Sequence, residues 1–262
     1  MAPHTLVIIG AGNVATQLAI TFAQKNLQIK QVFSRTAYSA NVLAEKVNAD
    51  PITQLEKITP DADLYLVAVS DDAIASVVNR FHFGNSLVVH TSGTVQMDVL
   101  MNSGSRCGVF YPLQTFSKER KVDFSNIPIL VEASDNESEN QLLDLGKLIS
   151  GNVLVCHSEK RKLIHLAAVF ACNFTNFLFT LSEDLLASHQ LSFDLLRPLI
   201  METAAKVIQQ SPGSAQTGPA KRNDLGVMAS HKQLLANDPE KLEIYSLLSK
   251  LIYDFETRKN NG

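Results

Sequence analysis

Cysteine is scarce in this chain, with Cys107, Cys156 and Cys172 the only three in 262 residues. An odd, widely spaced set excludes a disulfide framework. The three also lack metal-ligand spacing, so no metal is expected and a reducing, cytoplasmic compartment is. An excess of positive charge is absent too, and a balance of −3 argues against nucleic acid as a partner. The first residues show no basic stretch followed by an apolar run and a cleavage site, which speaks against secretion. One uncharged run, Leu163 to Ser182, reaches membrane-spanning length. His165, Asn173 and Asn176 inside it would be costly in lipid, so a buried helix of a helical domain or dimer interface is expected, with no membrane partner.

A further absence bears on a cofactor. Leu6-Val7-Ile8-Ile9 reads as a buried strand that runs into Gly10-Ala11-Gly12-Asn13-Val14-Ala15, a glycine-punctuated helix start. Gly10 and Gly12 allow a tight turn and a close approach to a diphosphate, while the first helical amides, at Asn13 and Val14, meet it with hydrogen bonds and the helix dipole. NAD sites place an acid about 20 residues past such glycines. None lies between Gly10 and Ala44. The second strand, Gln28 to Phe33, ends instead at Ser34-Arg35-Thr36, where a forked guanidinium between two hydroxyls suits the 2′-phosphate of NADP.

Two more apolar runs fit inner parallel strands. They end at Val69-Ser70-Asp71-Asp72 and at His90-Thr91-Ser92-Gly93, which places Val69, Ser70, His90, Thr91 and Ser92 at the edge where open α/β sheets bind ligands. Asp71 or Asp72 is expected to cap the next helix. His90 reads equally as a strand-end histidine bonded to backbone and as a cofactor or substrate contact. Further strands are expected from Gly108 to a departure at Pro112, at Ile129 to Glu132 and at Asn152 to Cys156, after which only helical periodicity follows. The expected fold class is therefore α/β: a doubly wound, mostly parallel sheet in residues 1–156, then an all-helical domain in 157–262.

On the helix predicted from Ser158 to Ala187, Lys162, His165, Asn173, Asn176, Thr180 and Glu183 fall within roughly 80° of one another at about 100° per residue. A polar stripe on an apolar helix faces water or a cleft. In a cleft between the domains, His165, Asn173 and Asn176 would be catalytic candidates: the histidine as a proton donor, the asparagines as amides that orient a carbonyl or imine. Structural or dimer bonding is the competing reading. The loop Thr217-Gly218-Pro219-Ala220-Lys221-Arg222-Asn223-Asp224 is turn-rich, with Asp224 the expected cap of a helix from Leu225 and two cations beside it.

With these features in place, the chain resembles the superfamily of pyrroline-5-carboxylate reductase, deazaflavin-dependent NADP reductase, ketopantoate reductase and 6-phosphogluconate-type hydroxyacid dehydrogenases. It looks most like the Rossmann-like NADP oxidoreductases with an uncharacterised helical C-terminal domain. The matching segments are His90-Thr91-Ser92-Gly93, Pro112-Leu113-Gln114-Thr115-Phe116, the helix from His165 to Asn173, and Thr217-Gly218-Pro219 with Arg222 and Asp224. The resemblance implies NADP(H)-dependent oxidoreduction of a small polar carbonyl or imine compound and a homodimer paired through the helical domains. Three positions depart from the pattern. Val169 stands where hydroxyacid dehydrogenases place a lysine four residues before the helix asparagine, so lysine-based proton transfer is not implied. Tyr111 replaces an expected histidine, and Asn223 an expected glycine. A non-catalytic NADP(H)-binding sensor or interaction protein is the alternative function.

Overall fold

In the computed structural model, which describes residues 2–80, 83–103 and 106–260, the first half of the chain forms one eight-stranded sheet. β1 (Thr5–Ile9) leads through α1 (Asn13–Gln24), β2 (Gln28–Phe33) and α2 (Ala37–Val47) to a short edge strand, β3 (Asp50–Ile52). The chain then crosses back to β4 (Leu64–Val67), α3 (Asp71–Val78), β5 (Leu87–His90) and β6 (Arg106–Pro112). It finishes with β7 (Ile129–Ala133), α4 (Asn136–Lys147) and β8 (Val153–Val155). The spatial order is β3-β2-β1-β4-β5-β6-β7-β8. All pairings are parallel except β6 with β7. This is the dinucleotide-binding order 3-2-1-4-5-6 with an extension at one edge, and its direction reverses between β1 and β4.

Both faces of the sheet are covered, which explains the near-continuous apolar strands. Leu6, Ile8, Leu64, Leu66, Leu87 and Val89 pack with α1, α2 and α4, while Val7, Ile9, Tyr65, Val67, Val88 and Val109 pack with α3 on the other side. Strand register carries a row across the second face: Ile9 pairs with Val67, Val67 with His90, His90 with Val109, and Val109 with Glu132. Directly paired residues share a face. Two polar groups thus join an otherwise apolar row.

β3 was not anticipated, since its three residues are too short to show periodicity. Asp71 and Asp72 do not cap α3; Ser70 is the N-cap, and both acids lie in the first turn, where their charge meets the positive end of the helix. Asp224 does cap, accepting from the Val227 N–H at 3.1 Å.

After the sheet, α5 (Ser158–Ala168) continues through a π-helical turn (Val169–Phe174) into α6 (Thr175–Ala187). Compact packing divides the chain into Met1–Asn173 and Phe174–Gly262. α5 belongs to the first unit because Arg161, fully buried, reaches Glu132 on β7. The second unit is helical, with α7 (Arg197–Gln209), α8 (Pro212–Ala215), α9 (Leu225–Leu234) and α10 (Pro239–Asn260) after α6. His231 on α9 meets Tyr245 on α10 at 2.9 Å, and Lys221 pairs with Glu256 at 3.3 Å. Lys221 is therefore engaged within its own unit rather than held ready for a ligand.

Among the described residues, Ser158–Ala187 is the one helix long and apolar enough to cross a membrane by length and composition. Its Leu163, Leu166 and Phe177 side chains are exposed on the single chain.

Candidate functional site

Gly10 and Gly12 serve different ends. Gly10 has φ of 125°, and a Cβ there would lie 2.1 Å from the Ala68 carbonyl oxygen, so the approach of β4 to β1 demands glycine. A Cβ on Gly12 would meet no protein atom within 4 Å. The missing side chain at residue 12 clears space for something other than protein. Gly12 is also the N-cap of α1, with no side-chain cap and no acid in the first turn. The first backbone bond of the helix runs from Thr16 N–H to Gly12 C=O. Donors ahead of it are left to an anion, as the charge at a helix start favours. The Asn13 side chain is spent elsewhere, donating to the Phe116 carbonyl at 2.8 Å, while Gln17 donates to Ser117 at 2.7 Å. Both side chains tie the segment after Pro112 onto the helix start.

A cleft of about 780 Å³ opens from this turn. Gly10, Gly12, Asn13 and Val14 line its middle, and Ser34, Arg35, Thr36, Ser39 and Arg80 line one end. Arg35 is exposed and has no ion pair among the described residues. Arg80, which no sequence motif marked, faces the same end but pairs with Glu56 at 2.9 Å. The Thr36 hydroxyl caps α2, accepting from Ser39 N–H at 3.3 Å. Of the two arginines lining the cleft, Arg35 is thus the one with no ion pair among the described residues.

Val69, Ser70, Thr91, Ser92, Gly93, Tyr111, Pro112, Gln114 and His165 line the rest of the cleft. His90 lies beneath it, fully buried, with Nδ1 accepting from the Ser92 N–H at 3.1 Å. It shapes the Thr91–Gly93 turn from below. Burial, aided by the nearby Arg161 charge, pushes its pKa down to about 4, so the ring is neutral near pH 7. With Nδ1 accepting, the proton sits on Nε2.

His165 reaches the cleft from α5. Its Nδ1 is 2.9 Å from the Tyr111 hydroxyl, and the two rings meet edge to face at 6.0 Å. Tyr111, marked in the sequence only as a departure from the family pattern and not as a site residue, is the neighbour of His165 in the cleft. It sits at the carboxyl end of β6, the same ligand-facing edge that marked His90, and that position was the available signal.

Asn173 is exposed and is not among the residues that line the cleft, and Asn176, also exposed, belongs to the second unit. The π-helical turn over Val169–Phe174 is the reason the predicted stripe breaks. Its i→i+5 bonding winds fewer degrees per residue than an α-helix, so a projection at a constant 100° does not carry His165 through to Asn173.

The residues fit a phosphorylated dinucleotide: open space at Gly12, a helix start with no side-chain cap or acid, and a guanidinium beyond the end of β2 with no ion pair among the described residues. Among the described residues no group of histidine, cysteine or acid side chains could hold a metal.

A family model described as NADP oxidoreductase, coenzyme F420-dependent, matches residues 5–93, and one described as a domain of unknown function, DUF2520, matches residues 127–252. Among solved structures, a provisionally assigned NADP oxidoreductase from Bacteroides fragilis is 45% identical, over 96% of this chain and 98% of that one, with a TM-score of 0.92. A protein from Thermotoga maritima is 24% identical over 97% and 99%, with a TM-score of 0.73. An imine reductase from Myxococcus stipitatus in complex with NADP+ is 15% identical over 98% and 94%, with a TM-score of 0.63. The latter two share the fold. No curated protein matches the chain.

Proposed function

The chain belongs to the family of NADP oxidoreductases that join an F420-dependent-type domain to a DUF2520 domain, and from that premise we propose that it converts a small polar carbonyl or imine compound at the His165 end of its cleft. NADPH, when bound, supplies the hydride. The chain's own part is to seat the diphosphate on the amides of Gly12, Asn13 and Val14, to hold the 2′-phosphate with Arg35 and Ser34, and to present the imidazole of His165 to the substrate. Residues 1–156 do the cofactor binding in this reading, and residues 157–262 serve substrate and dimer. The observation that carries it is a single cleft with space for a ligand at residue 12, a free guanidinium at one end and an imidazole at the other.

Titration with NADPH and NADH tests it. Hydrogen bonds to charged groups contribute about 1.5–3 kcal/mol, so Arg35→Ala is expected to weaken NADPH roughly 10- to 100-fold and leave NADH unchanged. His165→Ala should keep NADPH affinity and lose NADPH oxidation with keto acids and cyclic imines. Equal affinity of the wild type for both cofactors would overturn the 2′-phosphate reading.

The same proposal makes the chain a cytoplasmic homodimer paired through its helical region. Leu163, Leu166, Phe177, Leu199, Met201 and Ile208 expose 50% or more of their surface. That is far more apolar surface than a lone soluble chain leaves uncovered, and a second copy is the cover proposed. Asn173 and Asn176 stay candidates for substrate orientation or for interface hydrogen bonds in that dimer. Light scattering without detergent should give twice the chain mass, falling to one chain in Leu163→Glu/Leu166→Glu. A monomeric wild type, or one that needs detergent to stay in solution, would refute this.

A further inference from the structure

His165 meets the fold along one edge of its ring. A Cβ built on Gly93 would lie 2.5 Å from Nδ1 and 2.7 Å from Cγ, and the Tyr111 hydroxyl sits 2.9 Å from the same Nδ1. That edge is enclosed. Nε2 is the ring nitrogen left for a ligand in the cleft that His165 lines.

The direction of the Tyr111 hydrogen bond decides what Nε2 offers. With the ring proton on Nδ1, the phenol would accept and its own O–H, half-buried, would lose the imidazole as an acceptor. With the phenol donating to Nδ1, only a spare oxygen lone pair goes unused. Burial pushes the Tyr111 hydroxyl pKa up, so the phenol keeps the hydrogen it donates. If the ring gains a second proton, Tyr111 turns to accept from Nδ1–H, and Nε2 still carries a hydrogen.

We propose that Tyr111 is a positioning residue that keeps His165 an Nε2–H donor in either protonation state, and that the site therefore takes a carbonyl oxygen rather than a protonated imine. A carbonyl oxygen offers lone pairs to that N–H. A protonated imine offers only a hydrogen of its own, and two opposed donors disfavour it. The substrate class rests on the reading of this cleft as the NADP site; the state of the ring does not.

Long-range ¹H–¹⁵N spectra of the ¹⁵N-labelled full-length chain at pH 8.5 test both, with the His165 signals assigned by their loss in His165→Gln. The neutral wild-type ring is expected to carry its proton on Nε2, and Tyr111→Phe to shift the tautomer ratio at least tenfold toward Nδ1–H. A wild-type ring protonated on Nδ1, or an unchanged ratio in Tyr111→Phe, overturns the positioning role. With saturating NADP+, cyclopentanone should move the Nε2 resonance and pyrrolidinium should not. Movement with pyrrolidinium, or with neither, overturns the substrate class. Failure to bind NADP+ at all would overturn the proposed function and leave the tautomer result standing.

Discussion

Arg161→Ala is expected to destabilise the N-terminal unit by about 3–5 kcal/mol, because it leaves the Glu132 carboxylate charged, nearly buried and without its cation. The Arg161 side chain is fully buried and pairs with Glu132, which is 9% exposed. Its guanidinium also donates to the Val95 carbonyl at 2.6 Å and to the Ser158 hydroxyl at 3.0 Å, and Ser158 in turn donates to Glu132 at 2.7 Å. One side chain thus joins α5, the segment at Val95 and β7. Removing both charges is a different experiment. Well-packed apolar replacements of a buried pair are often neutral or better, so Arg161→Met/Glu132→Leu should recover most of what Arg161→Ala loses. Urea denaturation of the wild type and the two variants checks this. A loss under about 1 kcal/mol in Arg161→Ala would mean that water reaches Glu132 and the anchor is not one.

Acid should weaken the same region through His90. Its folded pKa of about 4 lies below the ordinary 6.5, so the unfolded chain binds the proton more readily. The stabilisation is complete above pH 6.5 and is lost as pH falls toward 4. At 1.36 kcal/mol per pH unit, the total is about 3 kcal/mol. Burial is the main cause, with Arg161 acting in the same direction and Gln96, Asp71 and Glu132 opposing. Glu132 adds its own acid sensitivity lower down. Hydrogen bonds from Arg161 and Ser158 outweigh its burial and hold its pKa below 4.5, so its contribution is present above that value and fades as the carboxyl protonates. In His90→Asn, whose side-chain oxygen can take over the Ser92 N–H, the urea midpoint should be flatter between pH 6.5 and 4.5 than in the wild type. Parallel pH curves for the two proteins would show that His90 is not the group responsible.

What the sequence carried well was local. The glycine turn, the Ser34-Arg35-Thr36 ending and the departure of β6 at Pro112 each depend on residues a few positions apart, and so does the Asp224 cap. Strand alternation likewise made the sheet legible, because a strand covered on both faces must be apolar throughout. His165 was marked as a polar residue on an apolar helix, and it does line the cleft. Asn173 and Asn176 were carried along by a constant helical period, which six residues of π-helix interrupt.

The linear order of residues determined the doubly wound sheet, the glycine turn at Gly10 and Gly12 and the arginine at the end of β2, since each follows from short-range backbone sterics and the spacing of apolar side chains. Tertiary structure alone decided that His90 would be a neutral prop beneath the cleft, that Arg161 would bind Glu132 across 29 positions and that Tyr111 would meet His165 across 54. Burial and hydrogen-bond partners are properties of distance in the folded chain. No local pattern of residues encodes which strand end and which helix face will come within 3 Å.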